Sequence, residues 1–212
     1  MDESLIQDPA SLARSCESLR THAWMALDTE FMRTRTYRAR LCLVQVATPE
    51  QIAQWVTLQI EALAEITARR GMRLAHVKPH GALYNAAAQQ EAIATAIAQA
   101  VAEWDASLVL LGLSGSRLIE AGRAAGLTVM QEVFADRRYL PNGQLVSRET
   151  PGALITDPEI AAKQAYALAH DQPIIALDGS PLRLAADTLC LHCDTPGASG
   201  IARAVAQALD RG

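Results

Sequence analysis

One short run constrains the fold more than any other. Ser107-Leu108-Val109-Leu110-Leu111 is apolar without a break after its serine. A strand with one wet face alternates. One that does not alternate is covered on both faces, which is the condition of a parallel strand between helices. The chain around it repeats the theme. An amphipathic helix covers 51–70, with Ile52, Val56, Ile60 and Leu63 at helical spacing and Gly71 ending it. A strand follows over 74–77, then an Ala-rich helix over about 86–104, the apolar strand and a helix over 116–125. After these come a strand over 128–133, a helix from Asp157 to about 170, short strands over 173–177 and 188–192, and a helix over 198–210. Such βα repetition makes a parallel barrel or an open α/β sheet, and either binds ligands at the carboxyl ends of its strands.

The chain has 212 residues, half of them hydrophobic, enough for one domain that buries ~70% of its unfolded surface. A net charge of -4 disfavours a general nucleic-acid binder. No apolar run approaches the roughly 20 residues of a membrane span. The opening MDESLIQDPASLARS carries acids and lacks the apolar core of a signal peptide. Four cysteines in a chain of this size do not make a disulfide framework, and the cytoplasm is the expected compartment.

Polar residues gather where the strands end. His76-Val77-Lys78-Pro79-His80-Gly81-Ala82-Leu83-Tyr84-Asn85 holds two imidazoles, an amine, a phenol and an amide. Pro79 keeps Lys78 out of the helical region and removes a ladder donor, so the strand stops there. Lys78 and His80 are its candidate site residues. Gly112-Leu113-Ser114-Gly115-Ser116 is a small-residue turn into a helix, either an anion cradle or an ordinary tight βα loop. Glu132, Asp136 and Arg137 follow the next strand, where Arg137 can clamp a carboxylate or pair locally. His192 and Asp194 follow the last strand. Cys190 and Cys193 are spaced C-x-x-C without the second pair or the strand-to-helix context that redox and zinc sites use.

The first fifty residues read differently. Asp8 and Pro9 open a short helix over 8–20. Trp24-Met25-Ala26-Leu27 is a strand ending in Asp28-Thr29-Glu30, whose carboxylates share a side and can hold a divalent metal, or be two solvated acids. Arg33, Arg35, Arg38 and Arg40 precede a second strand over 41–46, as phosphate contacts or a solvated hairpin. ALDTEFMRTRTYRARLCLVQVA resembles the opening of ribonuclease D, a 3′–5′ exoribonuclease, over about residues 5–50. That family's Tyr-x-x-x-Asp motif is missing: Leu41, Ala88, Gly143 and His170 stand four residues after the four tyrosines. A two-metal site lacking half its ligands does not hold its ions in catalytic geometry.

HVKPHGALYN, EVFADR, PGALI and CLHCDTPGA together resemble the LamB/YcsF family over residues 50–212. The resemblance implies a seven-stranded β/α barrel of the deacetylase kind. It implies the activity of the A subunit of 5-oxoprolinase, the ATP-dependent opening of the lactam 5-oxoproline to L-glutamate with 5-oxoprolinase subunits B and C. Lys78, His80, Glu132, Asp136, Arg137, His192 and Asp194 fall on its motifs and are the expected catalytic set. Cys193 stands where the family pattern has glycine, and the family's opening D-x-N-x-D-x-G-E strand and its H-A-G and G-A-H-P loops do not occur. The chain therefore reads as two parts, a ribonuclease D-like fragment over 1–49 and a partial barrel lacking its first strands over 50–212. An antiparallel pair cannot close a parallel barrel in the usual way, so an open or distorted sheet prone to self-association is expected. The alternatives to an impaired 5-oxoprolinase component are a nuclease fragment and a non-catalytic α/β scaffold.

Overall fold

The computed structural model describes residues 26–32, 40–195 and 197–210, with side chains from Ala47 onward. The expected helix over 8–20, the strand start at Trp24 and Met25, and Arg33, Arg35 and Arg38 lie outside the described residues. So do the side chains of Asp28, Glu30 and Arg40.

β1 (Ala26–Met32) and β2 (Arg40–Ala47) pair antiparallel, with a bulge between Glu30 and Phe31. Asp28-Thr29-Glu30 thus lies within β1, not at the end of a strand over 24–27 as expected, because pairing with β2 carries the strand on to Met32. Among the described residues the hairpin shares no ladder with the other sheets. α1 (Pro49–Ala68) starts earlier than its apolar period suggests, because its cap is Thr48. Thr48 Oγ1 accepts the Gln51 N–H at 3.3 Å and Gln51 Oε1 accepts the Thr48 N–H at 2.9 Å, a reciprocal capping box ahead of Pro49.

β3 (His76–Val77) is two residues long. The Ala-rich helix expected as one piece is two, α2 (Gly81–Gln89) and α3 (Glu91–Asp105), broken at the extended Gln90. The break has a packing reason. α2 turns Tyr84 and Ala88 toward one apolar cluster and Ala87 toward a second, and it is in this second cluster that α3 buries Ile93, Ile97 and Val101. Runs of alanine fit either face, so periodicity leaves the break unmarked.

β4 (Val109–Leu113), α4 (Arg117–Ala124), β5 (Thr128–Phe134) and α5 (Pro158–Ala169) follow. β6 (Ile174–Ile175) and β7 (Pro181–Leu182) form a small antiparallel hairpin, where a single strand over 173–177 was expected. Asp178 Oδ1 accepts from both the Ser180 N–H and its hydroxyl, and this Asx turn folds the chain back on itself. β8 (Thr188–Cys190) and α6 (Ala198–Leu209) end the chain's described part. Among the described residues the main sheet is four parallel strands in the order β3-β4-β5-β8. Ile52, Val56 and Ile60 of α1 join α3, α4 and Leu110 in one core, and α5 with α6 encloses a second around Ala135, Ala161, Ala165 and Ile201. The result is an α/β fold whose parallel sheet curls into half a barrel. No helix among the described residues is long and apolar enough to cross a membrane.

Where α4 lies on the sheet, Gly122 sets the distance. A Cβ there would stand 2.6 Å from Val129 Cγ1 and 3.1 Å from Leu110 Cδ2. Helix propensity favours alanine over glycine by about 1 kcal/mol, but overpacking a core costs ~1–3 kcal/mol, and a β-branched valine has little rotamer freedom with which to yield. Gly122→Ala is therefore expected to lower stability by about 1 kcal/mol or more, read as a lower urea midpoint at unchanged slope. A midpoint equal to or above the parent's would contradict this account of the α4–sheet contact.

Candidate active site

Lys78 leaves β3 at the residue where Pro79 ends the strand, and it crosses the sheet. Its Nζ lies 2.5 Å from Glu132 Oε1 on β5 and 3.6 Å from Cys190 Sγ on β8. This reach requires the curl. Neighbouring strands lie ~4.8 Å apart, so β3 and β8 would be about 14 Å apart in a flat sheet, whereas an extended lysine spans roughly 6 Å and a cysteine side chain about 3 Å. Even with the 3.6 Å contact added, these fall short. The ammonium also stands 5.7 Å from the Tyr84 ring centroid and 5.8 Å from that of Phe134, within the range of cation–π attraction. Glu132 is only 3 % exposed, and its Oε2 and the Tyr84 hydroxyl are buried without a hydrogen bond of good geometry. Burial and the Glu132 carboxylate both raise the Tyr84 pKa, so it stays a phenol. Burial, then Glu132, also raise the Cys190 thiol.

The second pair is Asp136 and His192. Asp136 is 1 % exposed. Both its oxygens lie 3.0 Å from His192 Nδ1, and Oδ2 also accepts the His192 backbone N–H at 3.1 Å and the Thr195 hydroxyl at 2.8 Å. Burial pushes the Asp136 carboxyl up, but these bonds and the attraction of His192 outweigh it and hold the group below its ordinary range. The imidazole stacks on Phe134 at 5.3 Å with planes 10° apart. Phe134 thus touches both pairs, with Lys78 over its ring and His192 against it. With Nδ1 held by Asp136, Nε2 is the ring atom free to move a proton.

The remaining expected residues hold loops. Arg137 is 5 % exposed and gives an N–H to the Val146 carbonyl at 2.6 Å; its Nε finds no partner. Burial, then the charge of Arg148, lower its pKa. Asp194 pairs with Arg148 at 3.0 Å, joining the loop after β8 to the long loop after β5. His80 caps α2 and is exposed, and its ring makes no hydrogen bond with either pair among the described residues. Lys78, Glu132, Asp136 and His192 are therefore brought together, and Arg137, Asp194 and His80 stand around them. Cys190 belongs beside Lys78, while Cys193 is exposed, and both are free thiols. Among the described residues no group of three or more His, Cys, Asp and Glu is arranged to hold a metal ion.

Sequence reasoning passed over several supports. Gln164 of α5 donates to the carbonyls of Phe134, Ala135 and Arg137, fixing the turn that carries Asp136. The Tyr139 hydroxyl accepts the Phe134 N–H at 2.7 Å. Phe134 and Thr195 sat inside quoted motifs, where a search for ionisable groups does not register them. Arg148 had no local signal, since its partner is remote in sequence.

A model of the LamB/YcsF family matches residues 44–212. A protein from Chloroflexus aggregans, named as the A subunit of 5-oxoprolinase, is 50% identical over 163 residues, 77% of this chain and 65% of that protein. Its namesake from Bordetella pertussis is 49% identical over 164 residues, with the same coverage. The crystal structure of a lactam utilization protein from Thermus thermophilus superposes with a TM-score of 0.72 at 44% identity, covering 78% of this chain and 66% of that one. This chain thus spans about 65% of the length of the curated relatives it matches. The match begins ahead of the boundary expected at residue 50. The ribonuclease D resemblance gains no support here and rests on its motif alone.

The depressed Asp136 carboxyl links the site to stability. Its folded pKa lies below the ordinary 3.8, so its contribution is fully present above that value and is lost as pH falls through the folded value. Acid unfolding of the parent is expected to steepen below about pH 4, and Asp136→Asn should flatten that limb while lowering stability at neutral pH. Parallel acid limbs for parent and variant would remove Asp136 from the linkage. Lys78→Met leaves Glu132 buried and unpaired and is expected to cost roughly 3 kcal/mol in a urea melt at pH 7; a loss under about 0.5 kcal/mol would make the pair incidental.

Proposed function

The chain belongs to the LamB/YcsF family, and from that premise we propose that it opens a lactam ring as the A subunit of a 5-oxoprolinase, turning 5-oxoproline into L-glutamate together with ATP and partner subunits B and C. The observation that carries this reading is the Asp136–His192 pair beside the Lys78–Glu132 pair on β3, β5 and β8 of one parallel sheet. Asp136 accepts the Nδ1 proton, which leaves the Nε2 lone pair to take a proton from water as its oxygen adds to the lactam carbonyl. The resulting oxyanion needs a nearby cation, and Lys78 is the ammonium on this face. The carbon–nitrogen bond then breaks as the imidazolium returns its proton to the leaving nitrogen, which gives the free amine and carboxylate of glutamate. Phe134 and Tyr84 wall the ammonium and strengthen these electrostatic effects by keeping water away. ATP, when bound in the assembly with the partner subunits, would supply the free energy of ring opening. Arg137, Arg148 and Asp194 hold the two loops that frame the pairs, and His80 stands at the rim.

Two measurements test the reading. In the first, 5-oxoproline is titrated into labelled protein. Saturable amide shifts are expected at 78–85, 132–136 and 190–195, and loss of them in His192→Asn. Shifts confined elsewhere would sink the assignment. In the second, ATP-dependent glutamate release is followed with subunits B and C added. Release is expected below that of a curated relative, since this chain spans about 65% of such a relative's length and a small misplacement of substrate costs ~100-fold. What remains should fall a further ~100-fold or more in His192→Asn. Release that ignores this substitution would exclude His192 as the proton carrier.

A further inference from the structure

We propose that the turn between β4 and α4 binds a phosphate group, at a cavity whose lining shares no side chain with the Lys78, Glu132, Asp136 and His192 set. The cavity, about 340 Å³, lies between this turn, the end of α2 and the turn at 142–144. Three amides of the β4–α4 turn are spent. Ser114 donates to the Glu132 carbonyl, Gly115 to the Gln131 side chain and Ser116 to the Leu113 carbonyl. The next two, Arg117 and Leu118, open α4 and have no acceptor among the described residues. They carry the positive end of the helix dipole.

A helix start alone is not a site, and Ser116 supplies the second, independent observation. Ser116 is the N-cap of α4, where a serine hydroxyl ordinarily accepts an N–H of the first turn. It makes no such bond. The residue is only 6 % exposed, lines the cavity, and its Oγ is buried with no partner. A buried hydroxyl without a partner is costly, and an oxygen-rich ligand at the cavity floor would satisfy it. Arg117 adds a cation at the rim. Glu120 grips one of its nitrogens at 2.7 Å, which leaves other guanidinium N–H groups for a ligand. Glu120 is also the one carboxylate lining the cavity, and its charge is offset by that same pair. The Arg117 amide, the Ser116 hydroxyl and the Arg117 guanidinium belong to residues that line this cavity, with the Leu118 amide next in the chain, and such a set of donors suits an oxyanion with several acceptor oxygens.

The proposal does not rest on the lactam reading, and its probe is different. Inorganic phosphate is titrated into the labelled 212-residue chain at constant ionic strength. Saturable amide shifts are expected at Ser116, Arg117 and Leu118, with the residues around Lys78 and His192 unmoved. Ser116→Ala is expected to weaken binding about tenfold, since a hydrogen bond to a charged ligand is lost. Arg117→Gln, an exposed change that keeps the fold, should weaken it as well, and Glu120→Gln should tighten it. A parallel titration with ATP identifies the source of the group: tighter binding than free phosphate at the same three amides assigns a nucleotide, and equal or weaker binding assigns free phosphate. No saturable shift at the α4 start up to about 50 mM phosphate, or binding indifferent to both Ser116→Ala and Arg117→Gln, overturns the proposal.

Discussion

A buried carboxylate must have a cation or several hydrogen-bond donors, and the arrangement of this half-barrel follows from how Glu132 gets a cation. An ionised carboxylate isolated in a protein interior costs several kcal/mol. Glu132 is 3 % exposed on an inner strand, and the cation that reaches it is Lys78, from a strand not adjacent to it. That contact is available only if the lysine leaves its strand early, the sheet curls, and the walls are apolar enough to keep the pair from solvent. Pro79 supplies the first condition, the parallel βα repeat the second, and Tyr84 with Phe134 the third. Lys78 is thus a structural clasp and a candidate for chemistry at once.

The second buried carboxylate solves the same problem differently. Asp136 has no full cation against it by default, and it gathers donors: an imidazole N–H, a backbone N–H and a hydroxyl. Hydrogen bonds to a carboxylate are worth more than those between neutral groups, and together they outweigh burial. The turn bearing Asp136 is itself fixed from below by Gln164, whose single amide serves three carbonyls, and by the Tyr139 hydroxyl on the Phe134 N–H. Side chains from α5 and from the loop after β5 therefore hold a geometry that is expressed at the end of β8.

What the sequence made legible, and what it did not, divides along range. The parallel core strand, the helix start at Asp157 and the clustering of Lys78, Glu132, Asp136 and His192 at strand ends could be read because each signal is local: an unbroken apolar run, an Asp-Pro helix start, a proline after a strand. The break at Gln90 could not, because alanine satisfies either helix face. The β6–β7 hairpin was hidden for a similar reason, since Ile174-Ile175 looks apolar whichever partner it takes. Arg137 could be read as a ligand clamp or as a local partner, and its guanidinium gives an N–H to the Val146 carbonyl. Its neighbour Arg148, unmarked in the sequence, is the arginine that meets Asp194. Charge type is written in a sequence, but direction is set by the backbone.

Register decides direction here. β5 and β8 run parallel with Phe134 opposite Cys190. Asp136 and His192 each stand two residues further on, so their bond continues the ladder past the point where the backbones stop pairing. Because side chains alternate with period two, a slip of one residue between these strands would turn His192 to the other face and leave Asp136 buried without its main partner. The same slip would carry Cys190 away from Lys78. Buried polar groups that tolerate one register alone give the short strand β8 a specificity that its three residues could not obtain from ladder bonds. On this view the candidate site and the pairing of β5 with β8 specify each other, and a substitution that loosens one, at Thr195 or at Tyr139, acts on both.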